Sequence, residues 1–238
     1  MNIDSVLYNS SDGIATITLN RPDYINAFNI QMRDELFEVL KLFKDDDEAS
    51  VGILCGSGSK GFCSGADITE FGTAPSQVIA RSVRAERDLW GLFLEIEKPI
   101  IASLHGYVIG SGIEISLLCD IRITSSDATF SMPETSLGFI PAAGGTQTLT
   151  RFIGLNSALD MILTRKSVDS KTALSIGLVD RVVEREYLQD ESIKLANNIL
   201  MNDQNFVRAA KKSVYVSDET VLTEGLLWEK RMFQKLQS

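Results

Sequence analysis

Residues Pro99 to Thr124 read PIIASLHGYVIGSGIEISLLCDIRIT and place two apolar runs on either side of a glycine-rich turn and a helical segment. The runs Pro99–Leu104 and Asp120–Thr124 are rich in isoleucine, which favours β-strands. Between them, Gly110-Ser111-Gly112 leads into Ile113–Leu118, whose residues favour a helix. A strand, a crossover helix and a second strand predict two parallel neighbours in one sheet.

The sequence on both sides of this stretch continues the alternation of strands and helices. Two runs, Ser5–Tyr8 and Ile14–Leu19, predict a hairpin with its turn at Ser10–Gly13. The pattern as a whole predicts an α/β domain with a mostly parallel sheet, followed beyond about Val183 by helices alone. Further strands are predicted at Val51–Cys55 and Ala128–Met132, and helices at Ile30–Phe43, Ser76–Glu97, Asp190–Met201, Asn205–Val216 and Glu219–Leu236.

The composition restricts the class of protein. Of the 238 residues 44% are apolar, which is enough for a substantial core and excludes a disordered chain. The formal net charge of −9 argues against a protein that binds nucleic acid through its phosphates. Because no apolar run approaches the length of a membrane span and residues 1–10 lack a signal-peptide pattern, we expect a cytoplasmic protein without a membrane partner.

Cysteine and histidine limit the redox and metal chemistry. The three cysteines, Cys55, Cys63 and Cys119, form no C-x-x-C pair, so we expect reduced thiols rather than disulfides or a zinc ribbon. His105 is the single histidine, which excludes a site built from several histidines. Carboxylates alone remain able to hold magnesium or calcium, but we expect no metal site.

Two glycine-rich turns require different interpretations. The segment Gly56–Gly61 matches G-x-G-x-x-G, but it does not open directly into a helix, so we interpret it as a connection and not as a dinucleotide site. Gly110-Ser111-Gly112, in contrast, precedes a predicted helix. The free N–H groups of a helix start can hold an anionic oxygen, although a turn that serves packing alone has the same sequence.

Two glutamates stand near these turns. Glu114 shares a helix face with Leu117 and Leu118, which predicts a partly buried carboxyl group with a raised pKa. A structural ion pair would produce the same pattern. Glu134 follows a predicted strand and precedes a turn, where an exposed glutamate would be ordinary. Together with the turn Cys63–Asp67, the two carboxyl groups and the helix start suit proton transfer next to a thioester carbonyl.

The ordered motifs of the chain resemble those of the crotonase family, the enoyl-CoA hydratases and isomerases. Leu19-Asn20-Arg21-Pro22 with Asn26-Ala27-Phe28 resembles the opening motif of that family, and Gly61–Ile68 resembles its first oxyanion-loop motif. His105-Gly106 with Gly110–Asp120 resembles the second motif of the family, and Met132–Gln147 resembles the third. The resemblance covers most of the sequence.

This resemblance implies a ββα spiral core over residues 1–185 and a C-terminal helical region over residues 186–238 that serves trimer assembly, as a homotrimer or a dimer of trimers. It implies an acyl-CoA substrate, with coenzyme A as part of the substrate and no separate cofactor. Glu114 and Glu134 fall on the catalytic positions, and the N–H groups of Ala66 and Ser111 fall on the oxyanion-hole positions. The residues implied to bind substrate or coenzyme A are Ser64, Gly65, Ala66, Asp67, Ile68, Gly110 and Ser111.

The resemblance also leaves alternatives open. Ser111 stands where hydratases commonly have glycine, and the family's final helix has no counterpart after the segment near Phe233. Both glutamates favour a hydratase, whereas an isomerase chiefly needs a base at Glu134. An acyl pocket is expected from Ile68–Gly72, Ser76–Leu94 and Phe139. The remaining alternatives are a hydratase of a cyclic or branched dienoyl-CoA, a non-catalytic RNA-binding or scaffold relative, and a serine hydrolase using Ser111 with His105.

Overall fold

A computed structural model describes residues 4–73, 76 and 86–237. Strands and helices alternate as far as residue 183, and the described residues beyond it form only helices. The strands are β1 (Val6–Ser11), β2 (Ile14–Leu19), β3 (Val51–Gly56), β4 (Gly61–Cys63), β5 (Ile100–Leu104), β6 (Tyr107–Ile109), β7 (Ile121–Ser125), β8 (Thr129–Ser131), β9 (Val168–Asp169) and β10 (Arg181–Val183). The helices are α1 (Ile30–Asp45), α2 (Leu89–Glu95), α3 (Ser111–Leu117), α4 (Gly145–Thr164), α5 (Ser170–Ser175), α6 (Leu188–Leu200), α7 (Gln204–Glu219) and α8 (Leu222–Gln237).

Within the described residues the strands form two sheets. The larger sheet has the order β1-β2-β3-β5-β7-β10, in which only the β1–β2 hairpin is antiparallel. The smaller has the order β4-β6-β8-β9, with β4, β6 and β8 parallel. The pairs β3–β4, β5–β6 and β7–β8 each contribute one strand to either sheet before a helix follows. This repeat is the ββα spiral that the resemblance implied.

Apolar residues cover both faces of the larger sheet. On one face α1 buries Met32, Leu36 and Leu40 in the main core. On the other, Leu195 and Ala196 of α6 pack with apolar strand residues in a second core. The alternating burial of β2, with Ile14 in the second core and Ala15 in the main one, follows from the opposite direction of successive strand side chains.

The final helices α7 and α8 are amphipathic and largely exposed. Asp120 joins α7 to the core, because its carboxylate accepts hydrogen bonds from Lys211 Nζ at 2.8 Å and the Tyr215 hydroxyl at 2.9 Å. None of the described residues of α8 is buried. The prediction that helices alone follow residue 183 is confirmed within the described residues, and the domain boundary at residue 185 stays a prediction.

Other local predictions can be compared directly with the structure. The segment from Gly56 to Gly61 connects β3 with β4, as interpreted, and all three cysteines are free. Of the predicted helix Ser76–Glu97, α2 accounts for the C-terminal part, and residues 77–85 lie outside the described residues. In the described part of the chain, no helix has the length and apolar character required to cross a bilayer.

Candidate active site

The site lies where the three parallel strands of the smaller sheet end. Residues 64–67 follow β4, residues 110–114 follow β6, and Glu134 begins a short 3₁₀ helix after β8. Because the carboxyl ends of adjacent parallel strands meet at one edge of a sheet, the topology brings these three segments together. Neither β4 nor β6 was predicted from the sequence, since each is a three-residue strand beside a glycine-rich turn.

Glu114 is held in the first turn of α3 and is only 2% exposed. Its Oε1 accepts hydrogen bonds from the backbone N–H groups of Ala143 and Gly145, both at 3.0 Å. Burial raises the pKa of this carboxyl group, and the two N–H groups and the Ser111 hydroxyl oppose the rise. The prediction of a buried glutamate with a raised pKa is therefore confirmed, and within the described residues no cation pairs with it.

Glu134 is 6% exposed, although its sequence context was typical of a solvated loop. Its Oε2 is buried and has no hydrogen-bond partner among the described residues. Burial, with a smaller contribution from the charge of Glu114, raises its pKa to about 6. The two glutamates therefore lie within electrostatic reach of each other.

Gly110 makes room for the Glu134 carboxyl group. A Cβ atom added to Gly110 would lie 2.5 Å from Glu134 Oε1, so any side chain here would displace the carboxyl group. The backbone of Gly110 also has a φ of 50° and a ψ of −115°, which disfavours every residue except glycine. The glycine before α3 thus serves the contact with Glu134 as well as the turn.

The loop 64–67 is held from both sides of Ala66. Phe28 donates its N–H to the Gly65 carbonyl oxygen at 2.8 Å, and its own carbonyl oxygen accepts from the Asp67 N–H at 3.0 Å. Ser64 N–H in turn donates to the Ile25 carbonyl oxygen at 2.9 Å. The N–H of Ala66 has no acceptor among the described residues.

The start of α3 packs directly against this loop. A Cβ added to Gly65 would lie 3.2 Å from the Ile109 carbonyl oxygen, and one added to Gly112 would lie 2.7 Å from the Cys63 carbonyl oxygen. Ser111 is the first residue of α3, and its N–H also has no acceptor within the described part of the chain. Ala66 and Ser111 therefore offer unused N–H donors on two segments in close contact.

Asn26 and Arg21 also support this loop, although the sequence indicated them only as members of the opening motif. Asn26 is completely buried, and the two N–H groups of its Nδ2 are shared among the carbonyl oxygens of Ser57, Gly61 and Phe62, at 2.9 to 3.1 Å. Arg21 pairs with Asp67 at 3.1 Å. Hydrogen bonding to the Thr69 hydroxyl, followed by the Arg21 interactions, lowers the pKa of Asp67.

Apolar side chains stand beside the site. Phe71 contacts Phe139 edge to face, with ring centroids 5.2 Å apart, and Ile68 is exposed. Two parts of the predicted acyl pocket, Ile68–Gly72 and Phe139, therefore meet through Phe71. Much of the remaining part, Ser76–Leu94, lies outside the described residues.

His105 is separated from Ser111 by strand β6, which begins at Tyr107. The His105 Nε2 lies 3.1 Å from the Gly58 carbonyl oxygen, and burial lowers its pKa to about 4. A serine hydrolase based on these two residues does not fit this arrangement. Within the described residues, no group of three or more His, Cys, Asp or Glu side chains is arranged to hold a metal ion.

Comparisons with known proteins agree with this fold. The family model described as enoyl-CoA hydratase/isomerase matches residues 9–238. A probable enoyl-CoA hydratase from Mycobacterium leprae is 37% identical over 98% of this chain and 90% of its own length. A short-chain-enoyl-CoA hydratase from Clostridium acetobutylicum is 34% identical over 98% of this chain and 89% of its own. The crystal structure of an enoyl-CoA hydratase from Bacillus anthracis has a TM-score of 0.91 at 32% identity, covering 97% of this chain and 90% of that one.

Proposed function

Because the chain belongs to the enoyl-CoA hydratase/isomerase family, we propose that it is a hydro-lyase that adds water across the 2,3 double bond of an enoyl-CoA thioester. The product is the 3-hydroxyacyl-CoA. The observation that carries this proposal is the pair of buried carboxyl groups, Glu114 and Glu134, beside two backbone N–H groups without acceptors. Hydration needs one group that accepts a proton and one that delivers it, and the pair supplies both.

The two glutamates suit different roles. Glu114 accepts hydrogen bonds from two backbone N–H groups, which favour its ionised form. We therefore assign Glu114 the role of the base that activates the water molecule for attack on C3. Glu134 Oε2 has no hydrogen-bond partner among the described residues, and the pKa of Glu134 is raised to about 6. We therefore assign Glu134 the role of the acid that delivers the proton to C2. The water oxygen forms the new bond to C3 as Glu114 accepts the proton that the water loses, and the π electrons of the double bond form the new C2–H bond with the proton that Glu134 delivers.

Negative charge develops on the thioester oxygen as the hydroxyl group adds. We assign the N–H groups of Ala66 and Ser111 to this oxygen, because donors fixed in advance stabilise such charge without reorganisation. Loss of one donor of this kind typically costs about 2.7 to 4 kcal/mol. The proposed reaction uses coenzyme A as part of the substrate and requires no further cofactor.

The experiment that tests the function is incubation with a panel of enoyl-CoA thioesters of different chain length. Loss of the conjugated-enoyl absorbance together with a mass gain of one water is the expected result. An unchanged mass with a shifted double bond would identify an isomerase, and no conversion of any thioester would contradict the proposal.

We also propose that the chain acts in the cytoplasm as a homotrimer or a dimer of trimers. In support of the assembly, α8 exposes Leu222, Leu226 and Phe233, and such apolar side chains favour burial in an interface. In support of the cytoplasm, the three cysteines are free, which suits a reducing compartment. Mass determination in solution tests the assembly, and a monomer at micromolar concentration would contradict it.

A further inference from the structure

Trp90 of α2 lies next to the loop that holds Glu114. Its indole Nε1 donates a hydrogen bond to the Ala143 carbonyl oxygen. The ring also lies along the backbone of Gly144, where an added Cβ would stand 3.4 Å from Cδ1. The same short loop directs the Ala143 and Gly145 N–H groups at Glu114 Oε1. Ala143 therefore connects the two side chains, because its carbonyl oxygen accepts from the Trp90 indole and its N–H donates to the Glu114 carboxylate.

The other side of Trp90 faces the loop of Ala66. Its ring meets Phe28 edge to face, at 6.2 Å between centroids and 72° between planes. Phe28 is the residue whose backbone bonds to Gly65 and Asp67 on either side of Ala66. Trp90 therefore contacts the supports of two separate parts of the site, although the family motifs quoted from the sequence do not include it.

We infer that Trp90 is a positioning residue, whose N–H fixes the 143–145 loop so that its amides hold Glu114 and whose ring braces Phe28 behind the Ala66 loop. Trp90 acts through these neighbours and is not assigned a contact with substrate. The expected loss of kcat rests on the proposed hydratase function. The expected loosening of the 143–145 loop does not depend on that function. A carboxylate displaced by about 1 Å loses up to about 100-fold in rate.

The variant Trp90→Phe tests the hydrogen bond, since it removes the indole N–H and keeps an aromatic ring against Phe28. We expect kcat for hydration to fall between about tenfold and 100-fold, with KM changed less than about twofold. Trp228→Phe is the matched control. The indole N–H of Trp228 in α8 has no partner among the described residues, so its removal should leave kcat unchanged.

A double-mutant cycle separates positioning from a general structural role. In a Glu114→Gln background, Trp90→Phe should cost little further activity, because its effect passes through Glu114. Trp90→Leu should cost more than Trp90→Phe in that background, because it also removes the ring that braces Phe28. An equal fractional loss for Trp90→Phe in both backgrounds would contradict the inference.

Hydrogen exchange gives a readout that does not depend on catalysis. The amides of Ala143 and Gly145 should exchange at least about tenfold faster in Trp90→Phe than in the unmodified protein, and no faster in Trp228→Phe. If the unmodified protein hydrates no thioester but this difference appears, the proposed function fails and the positioning role stands. If hydration occurs and Trp90→Phe changes neither kcat nor the exchange, the inference alone is overturned.

Discussion

The charge of Glu114 raises the pKa of Glu134, so the two carboxyl groups lie within electrostatic reach of each other in one buried site. Their partners differ. Glu114 Oε1 accepts two backbone hydrogen bonds, whereas Glu134 Oε2 has none within the described residues. This asymmetry is what separates the two proposed roles, because the protein stabilises one negative charge better than the other.

The first prediction concerns catalysis by the pair. Glu114→Gln and Glu134→Gln should each reduce kcat for hydration by about 100-fold, because an amide neither accepts nor delivers the required proton. Steady-state kinetics with a short enoyl-CoA measures the effect, and product-CoA affinity should change little. The exposed Glu48→Gln is the control. Full activity in either site variant removes that residue from the mechanism.

The second prediction concerns the pH dependence of stability. The pKa of Glu134 is about 6 in the folded protein and 4.5 for an ordinary glutamate, so the folded state binds the proton more tightly. The free energy of unfolding therefore decreases as the pH rises from about 4.5 to about 6, and it stays lower at higher pH. This buried charge costs about 2 kcal/mol at pH 8.

Glu134→Gln should therefore be more stable than the unmodified protein at pH 8, by roughly 5 °C in Tm. The difference should disappear near pH 4, where Glu134 is protonated in both states. Thermal unfolding at several pH values measures it. A variant that is less stable than the unmodified protein at pH 8 would show that Glu134 is not held as a strained buried charge.

The third prediction concerns the contact between Gly110 and Glu134. Gly110→Ala should reduce kcat by about 100-fold, because the new Cβ would lie 2.5 Å from the Glu134 carboxylate and displace it. Gly138→Ala is a control for a positive φ without a steric contact. Gly138 also has a positive φ, 82°, but no atom lies within 4 Å of an added Cβ. Equal activity losses in the two variants would assign the effect to backbone strain alone.

The fourth prediction concerns Asn26. Asn26→Ala should lower the free energy of unfolding by about 3 kcal/mol, since it leaves buried carbonyl oxygens of Ser57, Gly61 and Phe62 without their donor. Chemical denaturation measures this loss. The exposed Asn198→Ala should change it by less than about 0.5 kcal/mol. An equally small change for Asn26→Ala would mean that these carbonyl oxygens find other donors.

The sequence allowed the larger elements to be predicted with few errors at their ends. The Ile14–Leu19 strand agrees with its observed bounds, and the helix predicted at Ile30–Phe43 extends to Asp45. Such elements repeat an apolar pattern over many residues, so local periodicity identifies them. Strands β4 and β6 have three residues each and stand beside glycine-rich turns, so no apolar run marks them as Ala128–Met132 marks β8.

The sequence by itself determined that the sheet is mostly parallel, that a helix follows the turn Gly110-Ser111-Gly112 and that Glu114 is at least partly buried, because each follows from the pattern of one element or one strand-helix-strand unit. The tertiary structure alone decided that Glu134 is buried, that Ala143 and Gly145 hold Glu114, and that Trp90 reaches their loop. These contacts join residues 20 to 53 positions apart. They exist because parallel strands end at one edge of a sheet, and no local pattern encodes which side chains meet there.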